Sequence, residues 1–381
     1  MTTQQREISL ARGLKGVYLD TTESSDVQGD IGKLIYRGYN IHDLAEQSTF
    51  EETIYLLLYG KLPTRAQLNQ FGATLHQSGK VPGPVIDIIR SVQKSHPMDV
   101  LRTAVSALSA FDPETEDNSP EATLRKGIRL TAQTPTIVCA HDRIRHGLKP
   151  VEPNPSLNFA ANFLYMLKGE APSEADTKLM DTDFILHADH GSNASAFGAR
   201  VAASTLADLH CAVVAGVATL KGPWHGGAAE KVMEMALEIG EESKALSYIE
   251  DRLKKGDRVM GFGHRVYTAE DPRARHLRDR AKALGDRMGQ PKWWRILSAV
   301  EERMRPYARR GICVNVDFWS GSIYYLLGIP EDLFISIFAI GRVPGWAVQV
   351  LEQQKNNILI RPLLKYVGPM DVPYVPIDQR S

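Results

Sequence analysis

The chain is expected to be all-α. Three observations predict this: apolar residues recur at spacings of three and four along most of the sequence, Gly and Pro fall between these stretches, and strands do not alternate with helices. Thr49-Phe-Glu-Glu52 reads as a capping box opening a helix through Ile54, Leu57 and Leu58 that Lys61-Leu-Pro63 stops. Pro155 is expected as a first helical residue ahead of Leu157, Ala160, Ala161 and Leu164, and Pro172-Ser-Glu174 opens the next helix toward Phe184 and Leu186. From Asn193 to Gly222 small residues such as Ala196, Gly198, Ala203 and Gly216 dominate, which predicts helices packed backbone to backbone in an interior or a subunit interface. The strand signal is limited to a small N-terminal hairpin, Val17-Tyr-Leu19 against Lys33-Leu-Ile-Tyr36 across Gly29 and Gly32. Asp112 to Glu121 and the tail from Gly368 are hydrophilic interruptions; Val372-Pro-Tyr-Val-Pro376 must be extended, as in a tail that crosses a partner.

At 381 residues and 43% hydrophobic content the chain can bury a large core, and a length of about 150 residues per domain gives roughly two or three domains. Forty-five basic residues balance forty-five acidic ones, so no overall field draws nucleic acid or an anionic membrane, and a polyanion would need a local patch. Cys139, Cys211 and Cys313 have no metal-ligand spacing and sit beside apolar residues, which predicts reduced, mostly buried thiols and a cytoplasmic location. The start, Met1-Thr-Thr-Gln-Gln-Arg-Glu-Ile, has no apolar signal core, and the most apolar run, Leu333 to Ile340, is shorter than the about 20 residues of a membrane span. No glycine-rich phosphate loop follows a strand, which excludes dinucleotide and P-loop folds on context.

Four polar stretches carry the chemistry. Gly222-Pro-Trp-His-Gly-Gly227, Gly261-Phe-Gly-His-Arg265 with Asp271-Pro-Arg273, and Asn315-Val-Asp317 supply two imidazoles, a carboxylate and a guanidinium, a set able to move protons beside an anionic substrate. His225 precedes a helical pattern, whose N-terminus favours a neutral ring, while its flanking glycines let a ligand approach; the bland reading is a helix cap. Arg273 is either a site cation or a solvated end of an arginine-rich segment. Asp317, among Val314, Val316, Phe318 and Trp319, is either structurally paired or kept for chemistry. His187 and His190, with Asp183 and Asp189, invite a metal reading that the absence of any HExxH or matching carboxylate set disfavours, so no metal is expected. Arg342 and Arg361 are single cations in apolar surroundings, suited to hold a carboxylate of the protein or of a substrate.

These blocks, in this order, resemble the signature blocks of the citrate synthase family, and the likeness runs from Gly13-Leu-Lys-Gly16 through His96-Pro-Met98 and Asn158-Phe-Ala-Ala-Asn-Phe163 to Lys365-Tyr-Val-Gly368. The resemblance implies a two-domain helical homodimer, with a large domain of residues 1–220 and 329–381 and a small one, 221–328, that closes over the substrates. It implies His225, His264 and Asp317 as catalytic residues, with oxaloacetate held by His190, Arg273, Arg342 and, from the other subunit, Arg361. Acetyl-CoA as co-substrate would rest on Arg258, Val259, Met260, Gly261, Phe262, Gly263 and Asn315, with no permanently bound cofactor. Many relatives have Asp-His-Glu where this chain has Asp189-His190-Gly191, which questions the support of His190. Relatives that make 2-methylcitrate from propionyl-CoA share the catalytic residues; they often carry Pro after the histidine of the Gly-His block and Ala at the position of Gly321, so Arg265 and Gly321 favour citrate. An inactive binding homologue and a metal-dependent hydrolase using His187 and His190 are the remaining alternatives.

Overall fold

The computed structural model describes residues 9–380, so the reading of the opening residues as free of a signal core lies largely outside the described residues. Three short strands lead the chain: β1 (Ser25–Gln28), β2 (Lys33–Tyr36) and β3 (Tyr39–Asn40), an antiparallel sheet in the order β1-β2-β3 with Asp26 opposite Ile35 and Ile35 opposite Asn40. The expected partner of Lys33–Tyr36, Val17–Leu19, is not a strand, and its Tyr18 is 96% exposed. Ser25 takes that place although β1 is polar, because its hydroxyl finds a buried acceptor in Asp189 at 2.7 Å.

Helices then follow almost without interruption: α1 (Ile41–Gln47), α2 (Phe50–Tyr59), α3 (Arg65–Ser78), α4 (Gly83–Ser91), α5 (Pro97–Leu108), α6 (Pro120–Arg145), α7 (Phe159–Lys168), α8 (Glu174–His187), α9 (Ala194–Ser204) and α10 (Leu209–Leu220). A second run comprises α11 (Ala228–Ile239), α12 (Glu242–Lys255), α13 (Ala274–Arg287), α14 (Lys292–Met304) and α15 (Asp317–Leu326), which pack chiefly on one another, and α16 (Phe334–Lys355) returns to the first group. The chain is therefore all-α in architecture.

Local chemistry sets the boundaries. Thr49 accepts the Glu52 amide, but the Glu52 carboxylate turns to the Ser48 hydroxyl at 2.7 Å, so the box is half formed there and complete at Thr64 and Gln67. Pro155 lies in a turn and does not start α7; Asn158 does, its side chain accepting the Ala161 amide. Ser173 caps α8 as expected. Proline also falls inside helices, Pro135 in α6 and Pro344 in α16, contrary to the reading that it only separates them. Both helices are central, and the packing around them holds what the missing N–H groups do not.

α16 is the axis of the core. By length and composition it matches a membrane span, but that apolar window is wholly buried by the rest of the fold, in contact with α2, α6, α8, α9 and α10. The small residues foreseen between Asn193 and Gly222 allow this: a Cβ on Gly198 would lie 2.9 Å from the Thr219 hydroxyl, and one on Gly216 would lie 2.9 Å from the Trp346 ring. Of the three thiols, all free, Cys139 is buried, Cys313 half-buried and Cys211 exposed. The expectation of mostly buried thiols therefore fails at Cys211, which lies on the outer side of the first turn of α10.

Gly216→Val is expected to lower stability by roughly 1–3 kcal/mol through overpacking against Trp346. Gly72→Ala, within α3 and with open space where its Cβ would stand, is expected to hold or raise it by about 0.5–1 kcal/mol. The midpoints of urea unfolding check both, and equal midpoints would show that α10 has room to move.

Candidate active site

His190, His225, His264, Asp317, Arg273 and Arg342 come from five separate segments, and the fold gathers them where the end of α8, the loop before α11, the loop before α13, the start of α15 and the middle of α16 meet: the His190 and His264 rings lie 5.1 Å apart, and Phe338 lies by both the His225 ring and the Arg342 guanidinium. Arg342, in α16, is 1% exposed. Its Nε donates to the His187 carbonyl at 2.6 Å, its guanidinium lies 4.8 Å from the Phe338 ring, and its Nη2 has no protein partner. Burial pushes its pKa down to about 10. Two glycines flank it: a Cβ on Gly345 would stand 2.2 Å from the Ala188 carbonyl, and one on Gly341 would stand 3.0 Å from the His187 Cβ. The residues after α8 can thus lie directly against α16.

Arg273 is buried as well, so it is no solvated segment end. It forms a two-point pair with Asp271, Nε to Oδ1 at 2.9 Å and Nη2 to Oδ2 at 2.7 Å. Although burial opposes its charge, the Asp271 carboxylate raises its pKa. Arg361 lies elsewhere: it is exposed on the extended tail and touches none of these groups within one chain.

All three site histidines are held neutral. His225 has its pKa lowered to about 3 and His264 to about 4, by burial first and then by neighbouring cations, Arg342 for the former and Arg273 for the latter; His190 is lowered well below the ordinary imidazole value. The hydrogen bonds assign their protons. Nδ1 of His264 accepts the amides of Val266 and Tyr267, both at 3.0 Å, which leaves the proton on Nε2. Nε2 of His225 accepts the Ser195 amide at 3.2 Å and lies 2.8 Å from the Ser195 hydroxyl, which leaves the proton on Nδ1. The helix N-terminus that meets the ring is therefore that of α9, not that of α11, which begins three residues later. The sequence reading missed Ser195 and also Trp346, whose indole donates to the Ser195 hydroxyl at 3.0 Å. The Asn193 side chain, accepting from Ser195 and capping α9, was the available signal.

His190 has its support from the N-terminal sheet. Its Nε2 meets the Tyr267 hydroxyl at 3.2 Å, and the preceding Asp189 accepts from the hydroxyls of Ser24 and Ser25 and from the Gln349 amide. Tyr36 donates to the Asp189 carbonyl at 2.9 Å, and the Gly191 amide donates to Ser25 at 2.8 Å. Gly191 has φ +54, a conformation that favours glycine, so the departure from the acidic pattern is answered by β1. The same hairpin grips the loop carrying His264: the Gly29 carbonyl accepts the Thr268 amide at 2.9 Å.

Asp317 is the first residue of α15. Its pKa is pushed up to about 6, chiefly by burial, with Asp271 and Asp183 adding to the rise while His187 and Arg273 oppose it. Its amide donates to the Asn315 side chain, whose own amide group donates to the Gly263 carbonyl at 3.1 Å. Arg258–Gly263 runs beside it, tied by Gly263 to Cys313 and Asn315 to Gly261 backbone bonds at 2.8 and 2.9 Å, with Gly261 and Gly263 at φ near +80. His187 and His190 serve different partners: Nδ1 of His187 faces the Asp183 carbonyl at 2.8 Å, and His187 closes α8 whereas His190 lies beyond it. Among the described residues no three His, Cys, Asp or Glu side chains are grouped to hold a metal ion. A wide surface cleft of about 660 Å³ beside Lys94, His96, Arg145 and Asp332 contains none of these residues.

The model of the citrate synthase C-terminal domain matches residues 13–363. The chain belongs to the citrate synthase family. Citrate synthase 2 of Bacillus subtilis (strain 168) is 44% identical over 376 residues, spanning 98% of this chain and 100% of that protein. A 2-methylcitrate synthase 1 of Corynebacterium glutamicum is 40% identical over 376 residues, 97% of this chain and 98% of that protein. Among solved structures, a citrate synthase of the thermophilic archaeon Thermoplasma acidophilum, in a ternary complex with carboxymethyl coenzyme A and oxaloacetate, superposes with a TM-score of 0.93 at 32% identity, covering 98% of this chain and 100% of that one.

Within this member of the family, Gly321 holds α15 against α11: a Cβ there would stand 2.5 Å from the Ala229 carbonyl. Gly321→Ala is expected to push α15, which carries Asp317, away from α11, with a stability loss of roughly 1–3 kcal/mol, and to lower kcat more for the acetyl than for the propionyl thioester. Unchanged kcat for acetyl and propionyl thioesters alike would show that this contact does not set the site.

Proposed function

We propose that this chain condenses acetyl-CoA with oxaloacetate and hydrolyses the resulting citryl-CoA to citrate and CoA. The observation that carries the reading is a carboxylate ionising near pH 6 within the field of two buried guanidiniums, Arg273 and Arg342, which after burial also help to keep the His264 and His225 imidazoles neutral. A thioester α-carbon is a weak acid, so Asp317 removes its proton while Nδ1–H of His225 donates to the thioester oxygen and stabilises the enolate. The enol carbon then attacks the ketone of oxaloacetate, whose oxygen receives a hydrogen bond and then a proton from Nε2–H of His264. Arg273, Arg342 and His190 hold the dicarboxylate, and the unpartnered Nη2 of Arg342 supports that role. Water afterwards cleaves the citryl thioester.

The backbone of Arg258–Gly263, with Asn315, receives the coenzyme. Residues 221–328 act as a small domain that closes over the rest, residues 1–220 and 329–381, a division supported by the mutual packing of α11 to α15. The working form is a cytoplasmic homodimer in which Arg361 reaches the partner's site. Its support is the extended tail, where Leu363 is 82%, Leu364 98% and Val367 87% exposed on a single chain, an apolar strip suited to a second subunit. A 2-methylcitrate synthase activity with propionyl-CoA is the second reading, supported by the relative of that name.

Thiol release from acetyl-CoA and propionyl-CoA, each with and without oxaloacetate, is expected to favour acetyl-CoA in kcat/KM. The reverse preference would make propionyl-CoA the substrate, and no oxaloacetate-dependent release from either would overturn the mechanism. Asp317→Gly is expected to abolish condensation while oxaloacetate binding stays measurable by calorimetry; near-normal turnover would remove Asp317 as the base. Because Asp317 acts ionised, turnover is expected to fall as pH drops through about 6, whereas His225 and His264, titrating near 3 and 4, leave no limb of their own above pH 5. A rate unchanged between pH 7.5 and 5 would contradict the assignment.

A further inference from the structure

We propose that Trp224 and Arg258 form a shelf for the purine end of the acyl-CoA, with the neighbouring cations of α12 meeting its phosphates; this rests on the reading of the chain as an acyl-CoA enzyme. Trp224 is 89% exposed, whereas Trp293, Trp319 and Trp346 are at most 4% exposed. The Arg258 guanidinium lies over its indole, 5.2 Å from the ring centroid, so that the ring is held on one side by a cation. In sequence Trp224 adjoins His225, which faces the thioester, and Arg258 opens the strip Arg258–Gly263. The pair therefore bridges the reacting end of the coenzyme and the backbone that receives its body.

The chemistry of the ligand matches that of the pair. A purine offers a flat π-face to an indole, and its phosphates are anions suited to a guanidinium. Arg252, Lys254 and Lys255 precede Arg258 at the end of α12, with both lysines exposed and Lys254 only loosely paired to Asp251 at 3.8 Å. In a chain of zero net charge this is the local cationic patch that a polyanionic co-substrate requires.

The test uses Trp224→Ala, Trp224→Phe and Arg258→Gln in the full-length protein, assayed with acetyl-CoA and with acetyl-pantetheine, which lacks the nucleotide. Trp224→Ala is expected to raise KM for acetyl-CoA about tenfold with kcat within about twofold, Trp224→Phe to recover most of that loss, and acetyl-pantetheine to register no difference. Arg258→Gln is expected to raise the same KM and flatten its dependence on salt. A KM for acetyl-CoA within about twofold of the parent in Trp224→Ala, or an equal penalty on acetyl-pantetheine, overturns the shelf, the second by showing that Trp224 acts through His225. Titration of CoA followed by tryptophan fluorescence separates this inference from the reading beneath it. Trp224-dependent quenching without oxaloacetate-dependent thiol release sustains the shelf and overturns the condensation, whereas oxaloacetate-dependent turnover by Trp224→Ala with an unchanged KM for acetyl-CoA overturns the shelf alone.

Discussion

The burial of Arg342 is the constraint from which the rest of the site follows. A guanidinium at 1% exposure, with one carbonyl contact and an unpartnered nitrogen, is costly in the absence of an anion. Its field acts on the groups around it: after burial it helps to lower the pKa of His225, it adds a smaller part for His190 behind burial, Arg273 and His264, and it partly counters the burial that raises Asp189. Arg273 does the same to His264, but its own charge is met by Asp271. Arg273 is thus paired within the protein, whereas Arg342 keeps a nitrogen with no protein partner. That asymmetry suits a substrate with two carboxylates better than two free cations would, because the empty site then carries one unpaired buried charge and not two.

Close approach is the second constraint, and it is met by absent side chains. Gly345 lets the Ala188 carbonyl reach α16, Gly321 lets α15 reach α11, and Gly261 lies where a Cβ would meet Phe318 at 2.6 Å. Each contact draws together two of the segments between which the candidate site lies. The hydrogen bonds then fix the protons: the α9 amide on Nε2 of His225 and two loop amides on Nδ1 of His264 force the free N–H of each ring to the other edge.

The helical architecture was legible because its signals are local, and so were the polar stretches that the candidate site draws together. Helical spacing marks a buried face, and a histidine between glycines marks a loop where a ligand can approach. Ser195, Trp346 and the hairpin's hold on the His264 loop were not legible, since these are contacts between segments 30, 151 and 239 residues apart that only the fold brings together, although the Asn193 cap marks where Ser195 stands. The strand at Ser25 was hidden for a related reason: it reads as polar until Asp189 is beside it. Pro155 misled in the other direction, as a good first helical residue outranked by Asn158, whose side chain satisfies an amide. Arg361 resists a single-chain account because the tail that carries it has little of its own chain to pack on.

In the role proposed for Asp317, its strength as a base and its cost to the fold are one quantity. Its carboxyl titrates near 6 in the folded chain against an ordinary value of 3.8. An unfolded chain therefore loses this proton first, and stability is full below about pH 4 and declines as pH rises through 6, by about 3 kcal/mol once the group is ionised. At neutral pH the fold bears that penalty throughout, offset by the packing of α15 on α11 and α13. A deeper burial would give a stronger base, but one that is protonated at working pH and idle for most of the time; a shallower one would cost less and remove a thioester proton more slowly. A value near 6 keeps nearly all molecules ionised at pH 7.5 while retaining most of the gain in basicity. The intermediate burial of Asp317, at the first turn of a helix and beside the Asp271 that neutralises Arg273, is the structural form of that compromise.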